Sequence, residues 1–248
     1  MTADRTPVIV SAARTPIGKY LGGLSSLRAT ELGAVAVREA VRRAGVEPGA
    51  VDEVIMGHVL QGGAGQAPAR QAAIRAGLPG TVPAVTINKV CGSGLKAVML
   101  AAQAIKAGDA RCIVAGGMES MSGGPHYLFG LRSGVKFGHQ QAVDGVIHDG
   151  LWCAFGDAHM GGYAEYTAKK AGITREAQDR FALESHRKAV AAMEGCRFSA
   201  EIVKVEIPGR KGVTVVEKDE SPRQDTSLEA LAALKPAFEA SGTVTAGN

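Results

Sequence analysis

The 248-residue sequence has no C-x-x-C pair, and the spacing of its cysteines suits no zinc site. The four cysteines, Cys91, Cys112, Cys153 and Cys196, lie far apart along the chain. No metal is therefore expected. No apolar run approaches the roughly 20 residues that cross a bilayer. The N-terminal text, MTADRTPVIVSAARTP, lacks the pattern of a secretory signal. A cytoplasmic location with no membrane partner is the expectation, and in that compartment disulfides are not expected. Charge of one sign is not concentrated anywhere. Lys and Arg number 28 against 24 Asp and Glu, a net charge of +4. That excess is too small and too dispersed for nucleic acid, although it suits an anionic small ligand. The glycine-rich stretch QGGAGQ, Gln61 to Gln66, lacks the third glycine of G-x-G-x-x-G and the G-K-[ST] ending of a phosphate loop. No repeat of 20–50 residues is evident.

What is present is an alternation of strand and helix signals, with 46% hydrophobic residues to build a core. PVIVSA reads as a first strand. TELGAVAVREAVRRAG follows as a helix, with Leu32, Ala36, Ala40, Val41 and Ala44 at helical spacing and Gly45 as a stop. VDEVIMGHVLQ is a second strand, and APARQAAIRAG a second helix ending at Gly77. PAVTIN is a third strand, GSGLKAVMLAAQAIKAG a third helix, and RCIVAGGMES a fourth strand. Such a βαβαβαβ order predicts a mostly parallel sheet covered by helices. From Glu119 to about Gly162 periodicity weakens. Two helices then follow, within GGYAEYTAKKAG and TREAQDRFALESHRKAVAAMEG. A hairpin through PGRKG and a short helix in TSLEALAAL come last. The expected division is 1–120, and 121–248 as an α+β elaboration. TVTAGN ends the chain without a closing element, so a fragment or an abrupt C-terminus is expected.

NKVCGSGLKAV, Asn88 to Val98, carries the chemistry. Cys91 follows a strand and precedes a helix, whose unpaired N–H groups and positive dipole end lower a thiol pKa and can hold an oxyanion. Gly92 and Gly94 allow close approach of another backbone or a substrate. A nucleophile for acyl transfer and a small packed side chain both remain open for Cys91. Cys112, inside an apolar strand, reads as core. A thiol nucleophile needs a base. No spacing rule selects one of His58, His126, His139, His148, His159 and His186. His159 stands among glycines before a helix and suits a pocket, whereas His186 reads as surface. Arg210, Lys211 and Arg223 lie near turns and read as solvated unless they meet phosphates.

SAARTPIG, GHVLQGGAGQAPARQAA, NKVCGSGLKAV, IVAGGMESMS, DGLWCAFGDAHMG, GRKG and GTVTAGN occur in an order that resembles the thiolases, the acetyl-CoA acetyltransferases and 3-ketoacyl-CoA thiolases. The resemblance covers essentially the whole chain. HMG at His159 to Gly161 is similar to the short-chain, acetoacetyl-CoA type.

It implies an α/β fold: a layered αβαβα half with a mostly parallel sheet over 1–120, incomplete, and an inserted α+β loop domain over 121–248. It implies acetyl transfer between coenzyme A thioesters, with acetyl-CoA and acetoacetyl-CoA as substrates and no permanently bound cofactor. Cys91 matches the nucleophile that takes up the acyl group. His159 and Met160 match acyl-pocket residues. Leu151, Arg223, Phe238 and Ala246 match positions near coenzyme A, Arg223 at its phosphate-bearing end. Leu131 to Gly138 resembles the loop through which thiolase dimers pair into tetramers, so a homo-oligomer is implied. The family's N-E-A-F, G-H-P and C-x-G motifs, which carry the activating histidine, the second cysteine and further oxyanion donors, do not occur in these residues. These 248 residues are therefore expected to be an inactive fragment of such an enzyme, with acetoacetyl-CoA thiolysis near background, and the alternative is a non-catalytic coenzyme A-binding or assembly module. A ketoacyl synthase relative is disfavoured by the text around Cys91.

Overall fold

A computed structural model describes residues 5–210 and 212–248. It separates into two compact units. The first comprises the chain through Gly150 with Glu201–Glu220, and the second Leu151–Ala200 with Ser221–Asn248. Residues 121–150 and the hairpin strands thus group by contact with the N-terminal elements.

In the first unit, helix α1 (Ala29–Ala44), strand β1 (Glu53–Gly57), helix α2 (Pro68–Ala76), strand β2 (Ala84–Ile87), helix α3 (Ser93–Ala107) and strand β3 (Ile113–Gly117) follow in order. The strands form a parallel sheet in the order β2-β1-β3, with Val54 opposite both Ala84 and Val114. Parallel neighbours require crossovers, which the helices supply. Successive side chains of the central strand point to opposite faces. Val54 and Met56 join Val37, Val41, Ala69 and Ala72 of α1 and α2, while Ile55 packs on Ala97 and Ala101 of α3. Burying one such side chain contributes about 1.5–3 kcal/mol. The helices stop where the sequence predicts: Gly45, Gly77 and Gly108 all adopt left-handed backbone at the C-caps.

One expected element is absent. PVIVSA forms no strand; Val8, Ile9 and Val10 are 74%, 82% and 67% exposed. An apolar run becomes a strand only beside a partner that takes its N–H and C=O groups. The nearest pairing is the isolated bridge of Arg14 with Ile202. Arg14 itself is clasped by Glu201 Oε1 at 2.7 Å and Asp219 Oδ1 at 2.7 Å, which fastens this segment to the hairpin. The fourth sequence-predicted strand is therefore present as β3, and the first is not.

The segment after β3 is irregular, as the lost periodicity predicts. Short strands β4 (His126–Tyr127) and β5 (Val143–Asp144) pair antiparallel, and a π-helical turn spans Val146–Leu151. The Tyr127 hydroxyl donates to Asp149, and this bond pushes the phenol pKa up to about 12. Residues 131–138 are exposed throughout, with Phe137 fully so.

In the second unit, strands β6 (Trp152–Cys153) and β7 (Ala158–His159) form a small antiparallel ladder. Helices α4 (Met160–Lys170) and α5 (Arg175–Glu194) follow. Strands β8 (Val205–Gly209) and β9 (Gly212–Val216) make the predicted hairpin of the first unit; Lys211 in its turn lies outside the described residues. Helix α6 (Leu228–Ala232) begins at Ser227, whose side chain caps Ala230 N–H. Arg175 on α5 donates to the carbonyls of Leu231 and Leu234, tying the C-terminal segment to that helix.

Candidate functional site

The three parallel strands end at Gly57, Ile87 and Gly117. Ligands of open α/β sheets bind beyond such carboxyl ends. Cys91 sits there, in the turn from β2 to α3, and is exposed. That observation removes the packed-side-chain reading left open by the sequence.

The turn is built by short bonds. Asn88 Oδ1 accepts from Val90 N–H at 2.8 Å. The buried Ser93 hydroxyl accepts from Lys89 N–H at 2.8 Å and donates to Val90 C=O at 2.6 Å. Val90 is held at φ 47°, a left-handed value that a β-branched residue rarely adopts, so the turn carries strain immediately before the thiol. Ser93→Ala removes both bonds of the hydroxyl. It is expected to lower stability by about 1–2 kcal/mol, read from the denaturant midpoint. An unchanged midpoint would show that the hydroxyl does not hold the turn.

Glycines seat the start of α3 on the sheet. A Cβ at Gly57 would stand 2.5 Å from the carbonyl carbon of Ser93 and 2.6 Å from Gly94 N. Gly94 in turn lies against Gly117; a Cβ there would be 3.7 Å from Gly117 N. Backbone thus meets backbone with no side chain between, and the helix N-terminus is carried to the strand ends.

The other thiols differ. Cys112 packs against the core, as its strand predicts, and burial and then the nearby Asp52 push its pKa up. Cys153 is half-buried; the Tyr163 hydroxyl and then the N–H groups of Gly156 and Phe155 hold it below the ordinary thiol value. Cys196 is exposed at φ 53°.

His58, which no sequence signal marks, is buried. It is 2% exposed, its Nε2 lies 3.2 Å from Glu119 Oε1, and its Nδ1 has no partner in the described structure. Glu119 also accepts from the N–H groups of Val59 and Leu60. His58 lines a cavity of about 130 Å³ with Arg28, Thr30, Leu60, Gly62 and Ser120. No spacing signal marks this pair, because its members lie 61 positions apart and meet only when β1 and β3 align.

In the second unit His159 caps α4: its Nδ1 accepts from Gly161 N–H at 2.9 Å, which leaves Nε2 as the protonated nitrogen of the neutral ring. The ring stacks on Phe238, with centroids 5.0 Å apart. Gly161 is needed beneath that ring, because a Cβ there would overlap Phe238. Met160 follows His159 directly and is exposed, as is Ala246; Leu151 is half-buried. Arg223 is exposed and pairs with Asp225 at 3.0 Å, while its N–H donates to Nδ1 of the half-buried His186. Of the six residues matched to ligand binding, the structure brings His159 and Phe238 into direct contact. No group of three or more His, Cys, Asp or Glu side chains that could hold a metal occurs among the described residues. No described helix is long and apolar enough to cross a membrane.

Comparison with known proteins is consistent with this arrangement. The family described as thiolase, N-terminal domain, matches residues 7–248. An acetyl-CoA acetyltransferase of Pseudomonas aeruginosa is 56% identical over 97% of this chain and 62% of its own length. One of Cupriavidus necator is 59% identical over the same shares. A crystal structure of the Bacillus anthracis acetyl-CoA acetyltransferase superposes with a TM-score of 0.95 at 44% identity, covering 97% of this chain and 61% of that one. The chain thus spans about 62% of the length of the curated relatives it matches. The α/β fold with its mostly parallel sheet is the thiolase fold, truncated relative to the full-length enzymes. With a family match over nearly its whole length, the chain belongs to the thiolase family, whose N-terminal domain it carries.

Proposed function

We propose that the protein is a thiolase-type acyltransferase that moves an acetyl group between coenzyme A thioesters through an acyl-Cys91 intermediate. The observation that carries this reading is the exposed thiol at the strand ends, just ahead of the α3 N-terminus. In the degradative direction the Cys91 thiolate attacks the 3-keto carbon of acetoacetyl-CoA. The carbon–carbon bond breaks, and its electron pair leaves on the α-carbon of acetyl-CoA, which is then protonated. Free coenzyme A takes the acetyl group from sulfur. In synthesis the enolate of a second acetyl-CoA attacks acetyl-Cys91. Covalent capture divides one difficult step into two easier ones. The Cys91 N–H is assigned to the oxyanion that forms at each attack.

The remaining assignments follow the family. His159 and Met160 line the acyl pocket, and Leu151, Phe238 and Ala246 contact coenzyme A, with Arg223 at its phosphate-bearing end. The stack of His159 on Phe238 supports grouping these side chains. Residues 1–120 are the core half and 121–248 the loop domain, working in the cytoplasm. The test is peptide mass analysis after incubation with acetyl-CoA, with one acetyl group expected on Cys91. Binding of coenzyme A without any adduct would favour the second reading, a non-catalytic coenzyme A-binding or assembly module. Acetylation of Cys112, Cys153 or Cys196 in preference would overturn the assignment of Cys91.

Association through 131–138 is part of the same proposal. Exposed apolar side chains such as Phe137 and Val135 support it. Phe137→Asp is expected to lower the oligomeric mass seen by light scattering. An unaltered mass would exclude this loop as the contact.

A further inference from the structure

Segment 242–248 forms no helix or strand, yet the N–H groups of Gly242, Thr243, Val244, Thr245 and Gly247 all have acceptors. The Glu165 carboxylate, 5% exposed on α4, accepts from Thr243 N–H at 2.9 Å, from Val244 N–H at 2.8 Å and from the Thr243 hydroxyl at 3.2 Å. Burial opposes ionisation of this group. The two N–H bonds and the hydroxyl outweigh it, and the carboxyl pKa lies below its ordinary value. Glu165 Oε1 accepts from both consecutive N–H groups, and Oε2 accepts from Thr243 as well, the way successive backbone N–H groups gather on one anionic group. Gly242 makes the room, because a Cβ there would fall on the carboxylate.

A second anchor comes from α5. Asp179, 4% exposed, accepts from Arg175 Nε at 2.9 Å and from Asn248 Nδ2 at 2.7 Å. Asn248 Oδ1 then accepts from Thr245 N–H at 2.7 Å. Gln178 donates to the Thr243 hydroxyl at 2.9 Å. The segment passes its order on, since Val244 C=O accepts from Ala237 N–H at 2.9 Å, next to Phe238. The helix that presents His159 at its start therefore also fixes, through Glu165, the segment bearing Ala246 and the neighbour of Phe238.

We propose that Glu165 is a positioning residue for coenzyme A: it sets the backbone at Thr243 and Val244 and thereby the placement of Phe238 and Ala246. This rests on the thiolase reading above. The test compares Glu165→Ala and Glu165→Gln in the whole chain by two measurements, amide hydrogen exchange and calorimetric titration with coenzyme A. Loss of protection is expected at Thr243 and Val244 in the alanine variant, with α4 and α5 still protected. Its dissociation constant for coenzyme A should rise roughly tenfold. Glutamine, which keeps one acceptor oxygen, should restore part of both, which general unfolding would not allow. Unchanged exchange at Thr243 and Val244 would overturn the proposal. So would lost protection with unchanged affinity, and in both cases the thiolase reading survives. If the unmodified chain itself fails to bind coenzyme A, that reading falls and the proposal with it.

Discussion

Replacing Cys91 with serine is expected to end acetyl uptake from acetyl-CoA, slowing adduct formation by at least about 10³-fold. A hydroxyl is a far weaker nucleophile than a thiolate at neutral pH, and nothing in the turn compensates for the exchange. The informative companion is Cys153→Ser. Tyr163 and two backbone N–H groups hold the Cys153 thiol below its ordinary pKa, so thiolate character alone would make it a rival acceptor. Cys91, not Cys153, stands at the strand ends where such sheets bind ligands, so Cys153→Ser is expected to keep its adduct. The measurement is the time course of acetyl incorporation in both variants. A serine at 91 that leaves the rate intact, or one at 153 that removes it, reverses the assignment.

The second large effect concerns Gly57. Gly57→Ala places a methyl group 2.5 Å from the Ser93 carbonyl carbon, in a contact where backbone faces backbone and no flexible side chain can yield. Overpacking of this kind costs about 3 kcal/mol, and relief requires the start of α3 to move off the sheet. Cys91 lies two residues before that helix, so the same substitution should also slow acetyl incorporation. Gly49→Ala is the control, since its Cβ would meet only Pro79 Cγ at 4.0 Å. Denaturant midpoints check the pair: a large loss for Gly57→Ala against a near-neutral Gly49→Ala. Equal midpoints would mean that the close approach does not seat the helix.

Local rules made much of the first unit readable. Apolar spacing marked α1, and a glycine ended α1, α2 and α3, because glycine takes the left-handed backbone of those caps without strain. PGRKG marked the hairpin for the same kind of reason. The position of Cys91 was legible from its place between a β-like and a helix-like run, and exposure, which needs coordinates, settled its state.

Elements that depend on distant partners were not readable. PVIVSA has strand composition, but strand pairing is a property of two segments, and Val8 to Val10 lie exposed. His58 meets Glu119 across 61 positions, and His159 meets Phe238 across 79. Glu165 carries no mark in the sequence, because Thr243 and Val244, 78 and 79 positions on, meet it only in the fold. The strained Val90 was equally hidden, because its left-handed backbone is imposed by the Ser93 and Asn88 bonds and not by valine.

On the proposed reading, sulfur at position 91 carries the acetyl group covalently between two thioesters. The most direct measurement is a chase: load the chain with isotopically labelled acetyl-CoA, remove the excess, add unlabelled coenzyme A, and follow both products by mass. Label is expected on the peptide containing Cys91, discharged by the chase into acetyl-CoA. Label that never reaches that peptide, or that stays on it when coenzyme A is supplied, would contradict it.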